Sequence, residues 1–177
     1  MQIRRLEEGE KIESFNCGDS DLDDFIINDA QYYRASLLAV SYIMEDNNMP
    51  IAYFSLSNDK ISVQDFESNR KFNKFKGIFH SKKRIRGYPA VKIGRFAISE
   101  IAQKQGIGSQ LLDFIKAYFL INNKTGCRFI TVDAYRSAIP FYEKNGFLHL
   151  QSVDDNKPTK LMYFDLNNYK GYLKINI

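Results

Sequence analysis

The stretch that decides the fold is Ile98-Ser99-Glu100-Ile101-Ala102-Gln103-Lys104-Gln105-Gly106-Ile107-Gly108-Ser109. It follows an apolar run over residues 90–98 that has the composition of a strand. From residue 106 to residue 122 the apolar residues recur at helical spacing instead. The sequence therefore predicts a strand, a short glycine-containing loop and a long helix, in that order.

Such a loop is suited to binding a pyrophosphate. Glycines at 106 and 108 let a ligand approach the backbone closely, and the first N–H groups of the helix have no acceptor within the helix. These groups and the helix dipole favour an anion. A plain tight turn before a helix has the same pattern, however, and the glycine pair alone does not decide between the two.

Upstream, the sequence predicts a helix followed by a hairpin of strands. Asp19 or Ser20 is placed to cap the helix, and acidic residues in its first turn suit the helix dipole. Apolar residues then recur at helical spacing: Leu22, Phe25, Ile26, Ala30 and Tyr33. Residues 37–44 have the composition of a buried strand, and residues 46–50 predict a turn into a second strand over residues 51–56.

Downstream, strands and a short helix alternate. Residues 127–133 predict a strand, and residues 138–144 a short helix with Pro140 in its first turn. Asn145-Gly146 is expected to end that helix. Residues 147–153 and 161–166 predict a closing pair of strands. The fold class is therefore α+β (mixed α/β), with antiparallel pairs early and helices between the later strands.

Length and composition set the broad class. At 177 residues, with no repeat or linker, the chain is expected to form a single domain over residues 1–177. Hydrophobic residues make up 44% of the chain, which suffices for a sizeable core. No apolar run approaches the roughly 18 residues of a membrane helix, and the first residues lack a secretory signal. Two cysteines and two histidines show no metal-ligand spacing, so we expect no metal and a reducing, cytoplasmic location.

Charge is segregated along the chain. Eight acidic residues lie between Glu7 and Asp24, against Lys11 alone. Nine basic residues lie between residues 66 and 92, against Glu67 alone. Such a basic stretch indicates either a polyanionic partner or a solvated lysine-rich face. Aromatic residues are interleaved with it, which predicts a short amphipathic helix and a loop; Phe72, Phe75 and Phe79 either pack inward or contact nucleic-acid bases.

Three segments together resemble the GCN5-related N-acetyltransferase (GNAT) family. Gln103-x-x-Gly106-x-Gly108 is similar to the family's Gln/Arg-x-x-Gly-x-Gly/Ala signature, and the preceding strand end, Arg95-Phe96-Ala97-Ile98, is family-like. The run from Ala138 to Phe147 resembles Ala-x-x-Phe-Tyr-x-x-x-Gly-Phe. The resemblance implies a GNAT fold, with a central, mostly antiparallel twisted sheet of six to seven strands and flanking helices. It also implies direct transfer of an acetyl group from acetyl-CoA to a primary amine.

The same resemblance implies a set of site residues. Tyr142 would be the general acid that protonates the leaving CoA thiolate, although its spacing alone also fits a core aromatic. Tyr135 stands where many members have Asn, which leaves one side-chain contact to pantetheine open. The implied acetyl-CoA-binding residues are Phe96, Ala97, Ile98, Gln103, Lys104, Gln105, Gly106, Ile107, Gly108, Ser109, Ala138 and Phe141.

A narrower resemblance involves the segment Phe15-Asn16-Cys17-Gly18-Asp19-Ser20-Asp21-Leu22-Asp23-Asp24-Phe25-Ile26. It is similar to a segment of GNAT toxins that acetylate the α-amino group of aminoacyl-tRNA. This resemblance implies a tRNA partner bound through the basic segment 70–92, a small antitoxin protein and a homodimer. The implied substrate-binding residues are Lys82, Lys83, Arg84, Arg86 and Arg95.

Other functions remain open on the sequence alone. The acetyl acceptor could instead be a small amine or a protein N-terminus, and a non-catalytic module that binds CoA or nucleic acid has the same fold. An α-amino group titrates near a pH of about 8, so an aminoacyl acceptor needs no strong base. Cys17 lies among acidic residues, which disfavours a thiolate nucleophile and favours packing.

Overall fold

The computed structural model describes residues 1–77, 79, 85–121, 125–150 and 157–169. Three predicted substrate-binding residues, Lys82, Lys83 and Arg84, lie outside the described residues, as does the end of the predicted strand 147–153. The strands are β1 Gln2–Arg5, β2 Val40–Asp46, β3 Met49–Ser62, β4 Gly87–Ile98, β5 Phe129–Tyr135, β6 Leu148–His149 and β7 Thr159–Asp165. The α-helices are α1 Ser20–Asp24, α2 Ala30–Ala35, α3 Asn69–Lys76, α4 Ile107–Leu120 and α5 Ile139–Lys144, and one π-helical turn, Phe25–Asp29, joins α1 to α2.

The strands form one seven-stranded sheet in the order β1-β2-β3-β4-β5-β7-β6. The pairs β1–β2, β2–β3, β5–β7 and β6–β7 are antiparallel. This mostly antiparallel sheet with flanking helices confirms the predicted fold class. None of the helices in the described part of the chain is long and apolar enough to cross a membrane.

The predicted first helix and hairpin are present, although β3 begins at Met49 instead of residue 51 and continues to Ser62. The Asp19 carboxylate caps α1 by accepting hydrogen bonds from the N–H groups of Asp21 and Leu22. In the hairpin, Asp46 pairs with Met49, so Asn47 and Asn48 form a two-residue turn. Both asparagines are left-handed, at φ +49° and +62°, as this turn type requires.

The predicted start of β2 is wrong by three residues. Residues 37–39 close the end of α2 instead, because the N–H of Leu37 binds the Arg34 oxygen at 2.9 Å and the N–H of Leu38 binds the Tyr33 oxygen at 2.8 Å. Their backbone donors are thereby used in a helix terminus. Leu37 is left-handed at φ +57° and 93% exposed, which its apolar side chain did not predict.

The chain divides into two compact units. Unit 1 comprises Met1–Asn58 and Ile93–Phe114, and unit 2 comprises Asp59–Lys92 and Ile115–Ile177. The core of unit 1 gathers apolar side chains from the N-terminal segment, helices α1 and α2, and strands β2 to β4. At its centre Tyr53 is fully buried and donates a hydrogen bond to the Leu22 carbonyl at 2.6 Å.

The core of unit 2 is largely aromatic. Phe72 and Phe75 of α3 are buried against Tyr88 and Phe129, and Phe79 stacks on Tyr88 with ring centroids 4.3 Å apart. The aromatics of the basic segment therefore pack inward, which decides between the two alternatives that the sequence left open. Helix α3 itself confirms the predicted amphipathic helix.

Candidate functional site

The loop between β4 and α4 has an unusual backbone. After Ile98 the chain makes a short 3-10 turn, Glu100–Ala102, and α4 begins at Ile107. Lys104 and Gly106 are both left-handed, at φ +61° and +81°. A Cβ at Gly106 would have no atom within 4 Å, so this part of the loop faces open space. A ligand can therefore reach the backbone here.

The start of α4 supplies hydrogen-bond donors to that space. The first helical bond runs from the Gln110 N–H to the Gly106 oxygen at 3.2 Å. The N–H groups of the preceding residues, Ile107, Gly108 and Ser109, therefore have no acceptor within the helix. Together with the positive end of a 14-residue helix, they suit an anion such as a pyrophosphate.

Gln103 ties this loop to its surroundings through its side chain. Its Nε2 donates to the Ile98 oxygen at 3.0 Å and to the Cys17 oxygen at 2.8 Å. Both protons of the amide are thus used within the protein. Gln103 therefore fixes the shape of the loop, whereas the first amides of α4 are available to bind a ligand.

The end of β4 belongs to unit 1 with the loop. Ala97 is buried in the core, while Phe96 and Ile98 are half-buried. The Arg95 guanidinium lies over the Phe25 ring, 5.0 Å from its centroid, and 3.8 Å from the Asp21 carboxylate. These contacts give Arg95 a structural role in unit 1, and its predicted part in substrate binding stays a prediction.

Helix α5 of unit 2 carries Tyr142. The helix has Pro140 in its first turn and ends at Lys144, and Gly146, two residues further on, is left-handed at φ +82°. Tyr142 is only 5% exposed, and its ring makes edge-to-face contacts with Phe141 and Phe147 at 5.2 and 5.3 Å. Burial raises the pKa of the Tyr142 hydroxyl, which therefore stays protonated at neutral pH.

The remaining predicted residues of unit 2 have different surroundings. Ala138 and Phe141 are half-buried beside Tyr142 along the chain, and Tyr135 is 46% exposed. Among the basic residues that the structure describes, Arg70, Lys71, Lys74 and Arg86 are exposed. Lys92, by contrast, pairs with Asp133 at 2.5 Å on the neighbouring strand β5.

Both thiols are poorly suited to nucleophilic chemistry. Burial and the neighbouring Asp23 raise the pKa of Cys17 to about 11, and burial raises the pKa of Cys127 to about 11 as well. A thiol of this kind is almost wholly protonated at neutral pH. The expectation that Cys17 packs rather than reacts therefore agrees with its environment.

Sequence reasoning missed the role of Asn16 and Glu100. Their side chains are joined by a hydrogen bond of 3.0 Å between Asn16 Nδ2 and Glu100 Oε2, across 84 residues of sequence. Local sequence patterns cannot find such a pair. The one available signal was the resemblance of the segment Phe15-Asn16-Cys17-Gly18 to GNAT toxins, which did not indicate a contact with Glu100.

A mostly antiparallel sheet whose β4 strand leads through a glycine loop into the N-terminus of a helix fits the binding of coenzyme A by an acyltransferase. The sequence comparison agrees: the family model of the acetyltransferase (GNAT) domain matches residues 40–148, more than half of the chain. The chain belongs to this family. It is by class an acetyl-CoA-dependent N-acetyltransferase, and the open backbone at Gly106 fits its co-substrate.

Solved structures of toxins share the fold. A tyrosine-to-phenylalanine mutant of KacT is 21% identical and superposes with a TM-score of 0.75, covering 97% of this chain and 98% of that chain. AtaT complexed with acetyl-methionyl-tRNAfMet is 20% identical with a TM-score of 0.74, over 97% and 98% of the two chains. A mutant AtaT toxin bound to acetyl-CoA and the C-terminus of the antitoxin AtaR is 18% identical with a TM-score of 0.68, over 98% of each chain. No curated protein sequence matches the chain significantly.

Proposed function

We propose that this enzyme transfers the acetyl group of acetyl-CoA to the α-amino group of aminoacyl-tRNA and acts as the toxin of a toxin–antitoxin pair. The observation that carries the proposal is the exposed basic face of α3. We define this face by Arg70, Lys71 and Lys74, all three exposed on the helix. The likeness in fold to AtaT complexed with acetyl-methionyl-tRNAfMet supports the same substrate.

The basic face is rigidly mounted, which suits a polyanion. The opposite side of α3 is fixed by Phe72 and Phe75 in the aromatic core of unit 2. Arg70 and Lys74 are four residues apart and so point in the same direction. Lys71 is paired with Glu67 and contributes less net charge. Two to three cations on a fixed helix can follow a phosphate backbone with little loss of conformational entropy.

The proposed chemistry needs one positioned acid. As the amine nitrogen bonds to the acetyl carbon, the carbon–sulfur bond breaks and the sulfur takes a proton. We assign that proton to the Tyr142 hydroxyl, which is protonated at neutral pH like any phenol. An aminoacyl ester amine is already largely neutral near pH 8, so it can attack without a strong base. Once the carbon–nitrogen bond has formed, the nitrogen loses a proton to solvent, and the Tyr142 phenolate takes one up from solvent.

We assign the binding of the co-substrate to two segments. The backbone of Phe96, Ala97 and Ile98 would hold the pantetheine arm, and the amides at the start of α4 the pyrophosphate. Residues 1–177 are proposed to act as one GNAT domain, because β3, β4 and α4 each run through both compact units. A tRNA substrate would place the enzyme in the cytoplasm.

A small antitoxin protein is the proposed partner. This rests on the likeness to the AtaT toxin, which has been solved with the C-terminus of the antitoxin AtaR. A short reading frame beside the gene, whose product suppresses toxicity on co-expression, would support the pairing. Growth arrest that no neighbouring product relieves would count against it. Homodimerisation stays a prediction.

The tRNA assignment is tested by neutralising the basic face. We expect the double variant Arg70→Gln/Lys74→Gln to raise the KM for charged tRNA and to reduce the slope of log(kcat/KM) against log[salt] by about 1 to 2, since each lost phosphate contact removes about 0.7–0.9. The matched control is Arg5→Gln/Lys11→Gln, which removes the same charge from exposed positions of unit 1. Equal salt slopes in wild type and both variants would contradict binding through α3.

A further inference from the structure

The turn Asn16-Cys17-Gly18 contacts the acetyl-CoA loop through three hydrogen bonds. The Glu100 N–H binds the Asn16 oxygen at 3.0 Å, and Asn16 Nδ2 binds Glu100 Oε2 at 3.0 Å. Gln103 Nε2 completes the contact by binding the Cys17 oxygen at 2.8 Å and the Ile98 oxygen at 3.0 Å. The amide of one side chain thus joins the N-terminal turn, the end of β4 and the loop before α4.

Glycine is required in this turn for two reasons. Gly18 is left-handed at φ +86°, where other residues are strained. A Cβ at Gly18 would also lie 3.0 Å from Glu100 Oε1, so the Glu100 carboxylate would have to move. The Asn16 Oδ1 accepts the Gly18 N–H at 3.0 Å and fixes the shape of the turn from within. Asn16 therefore binds the Glu100 carboxylate, and the absence of a side chain at Gly18 leaves room for that carboxylate.

The turn is itself attached to the core of unit 1. The Cys17 N–H binds Asp23 Oδ1 of α1 at 2.8 Å, and Phe15 is buried against Tyr53 with ring centroids 5.3 Å apart. Movement of the turn would break these contacts. The loop from residue 98 to residue 103 is consequently held against a fixed support, rather than only by its own short 3-10 turn.

We propose that the Asn16-Cys17-Gly18 turn is a positioning element for acetyl-CoA binding: it holds the loop before α4 in the conformation that aims the helix amides at the pyrophosphate. The inference rests on the proposed function for the identity of the ligand. Donors that are already ordered in the free protein bind a ligand more tightly, because no conformational entropy is lost in ordering them when the ligand binds. The turn itself does not contact the ligand in this account, and neither does the Gln103 side chain.

The test compares Asn16→Ala with Asn28→Ala. Asn28 Nδ2 also donates one hydrogen bond to a carboxylate, that of Asp24 at 2.6 Å, but on the exposed side of the helix in the same unit. We expect Asn16→Ala to raise the Kd for CoA and the KM for acetyl-CoA about five- to tenfold, as for the loss of one net hydrogen bond and its partner. The kcat at saturating acetyl-CoA should change less than twofold. Asn28→Ala should leave both constants unchanged.

Conservative variants separate positioning from mere stability. Glu100→Gln keeps an acceptor for Asn16 and should bind CoA within twofold of wild type, whereas Glu100→Ala should weaken binding. Asn16→Ala should weaken it at least as much, because it also removes the bond from the Gly18 N–H to Asn16 Oδ1. Since both variants remove the bond between Asn16 and Glu100, the double variant Asn16→Ala/Glu100→Ala should bind CoA no more weakly than Asn16→Ala alone. Kd values are measured by titration calorimetry on protein shown to be folded by circular dichroism.

The experiment distinguishes failure of the proposed function from failure of the positioning role of the turn. Wild-type protein that does not bind CoA would overturn the proposed function and this inference with it. Wild-type binding with an unchanged Kd in Asn16→Ala and Glu100→Ala would overturn this inference alone. Additive losses in the double variant would also contradict it, since they would show that the two side chains act separately.

Discussion

Replacing Gly106 with Ala tests the anion-binding loop most sharply. The new methyl group meets no protein atom within 4 Å, so it causes no clash in the free protein. It does force a non-glycine residue to adopt φ +81°, which costs about 1–2 kcal/mol of folding free energy. For a chain of this length that lowers the Tm by about 2–8 °C.

The loss of affinity for CoA in Gly106→Ala should be larger than backbone strain alone explains. The methyl group would occupy the space from which phosphate oxygens reach the α4 amides. Losing one hydrogen bond to a charged group costs about 1.5–3 kcal/mol, which raises the Kd for CoA roughly 10- to 150-fold.

Gly9 offers a matched control. It is also left-handed, at φ +75°, and a Cβ there also meets nothing within 4 Å. Gly9→Ala should therefore lower the Tm by a similar amount without changing CoA affinity. The assay is titration calorimetry with CoA, because the chain has no tryptophan to report binding by fluorescence. Equal CoA affinities for Gly106→Ala and Gly9→Ala would refute this account of the loop.

The other predictions concern single side chains. Tyr142→Phe should lower kcat about 100-fold or more and leave the Kd for CoA within twofold, measured by thiol release and calorimetry; an unchanged kcat would remove Tyr142 from the chemistry. With pKa values of about 11, Cys17 and Cys127 should be alkylated slowly at pH 8, and the rate should rise about tenfold per pH unit up to pH 10. Alkylation should be much faster in denaturant, and rapid labelling of the native protein would contradict the burial of the two thiols. Leu37→Gly should raise the free energy of unfolding by about 0.5–1 kcal/mol, because it relieves a left-handed backbone and loses no packing; a lower Tm would show that Leu37 makes contacts of its own.

Local patterns predicted most of the fold. Periodicity located α1, α3, α4 and α5, and turn residues located the hairpin between β2 and β3. Strand ends were less predictable. Leu37 and Leu38 look like strand residues by composition, yet the backbone bonds that close α2 decide their conformation. The place of β7 between β5 and β6 depends on long-range pairing that no local pattern contains.

The candidate site was predictable only where its chemistry lies in contiguous sequence. The glycines before α4 and the segment around Tyr142 are short motifs, so the sequence identified them. The contacts of Asn16 with Glu100 and of Gln103 with Cys17 join residues more than 80 positions apart, which folding alone brings together. In the basic segment, residues that are adjacent in sequence have different roles. Helix α3 places the aromatic side chains on its buried face and the cations on its exposed face, so sequence alone could not tell which of them meet a partner.

Several acidic residues of the N-terminal segment have contacts within the protein. Asp19 caps α1, Asp23 binds the Cys17 N–H, and Glu10 pairs with Arg4 at 2.6 Å. The Arg4 guanidinium holds the pKa of Glu10 below its usual range. Capping and pairing within the protein thus account for these three acidic residues, while Arg70, Lys71 and Lys74 lie on the exposed face of α3.

The central claim is acetyl transfer to aminoacyl-tRNA. The direct measurement incubates the purified protein with labelled acetyl-CoA and either charged or uncharged total tRNA, then counts acid-precipitable label before and after mild alkaline deacylation. The account predicts label on charged tRNA only, released together with the amino acid. Label that is absent from charged tRNA, while CoA still binds, would contradict the claim and move the acceptor to a small amine or a protein N-terminus.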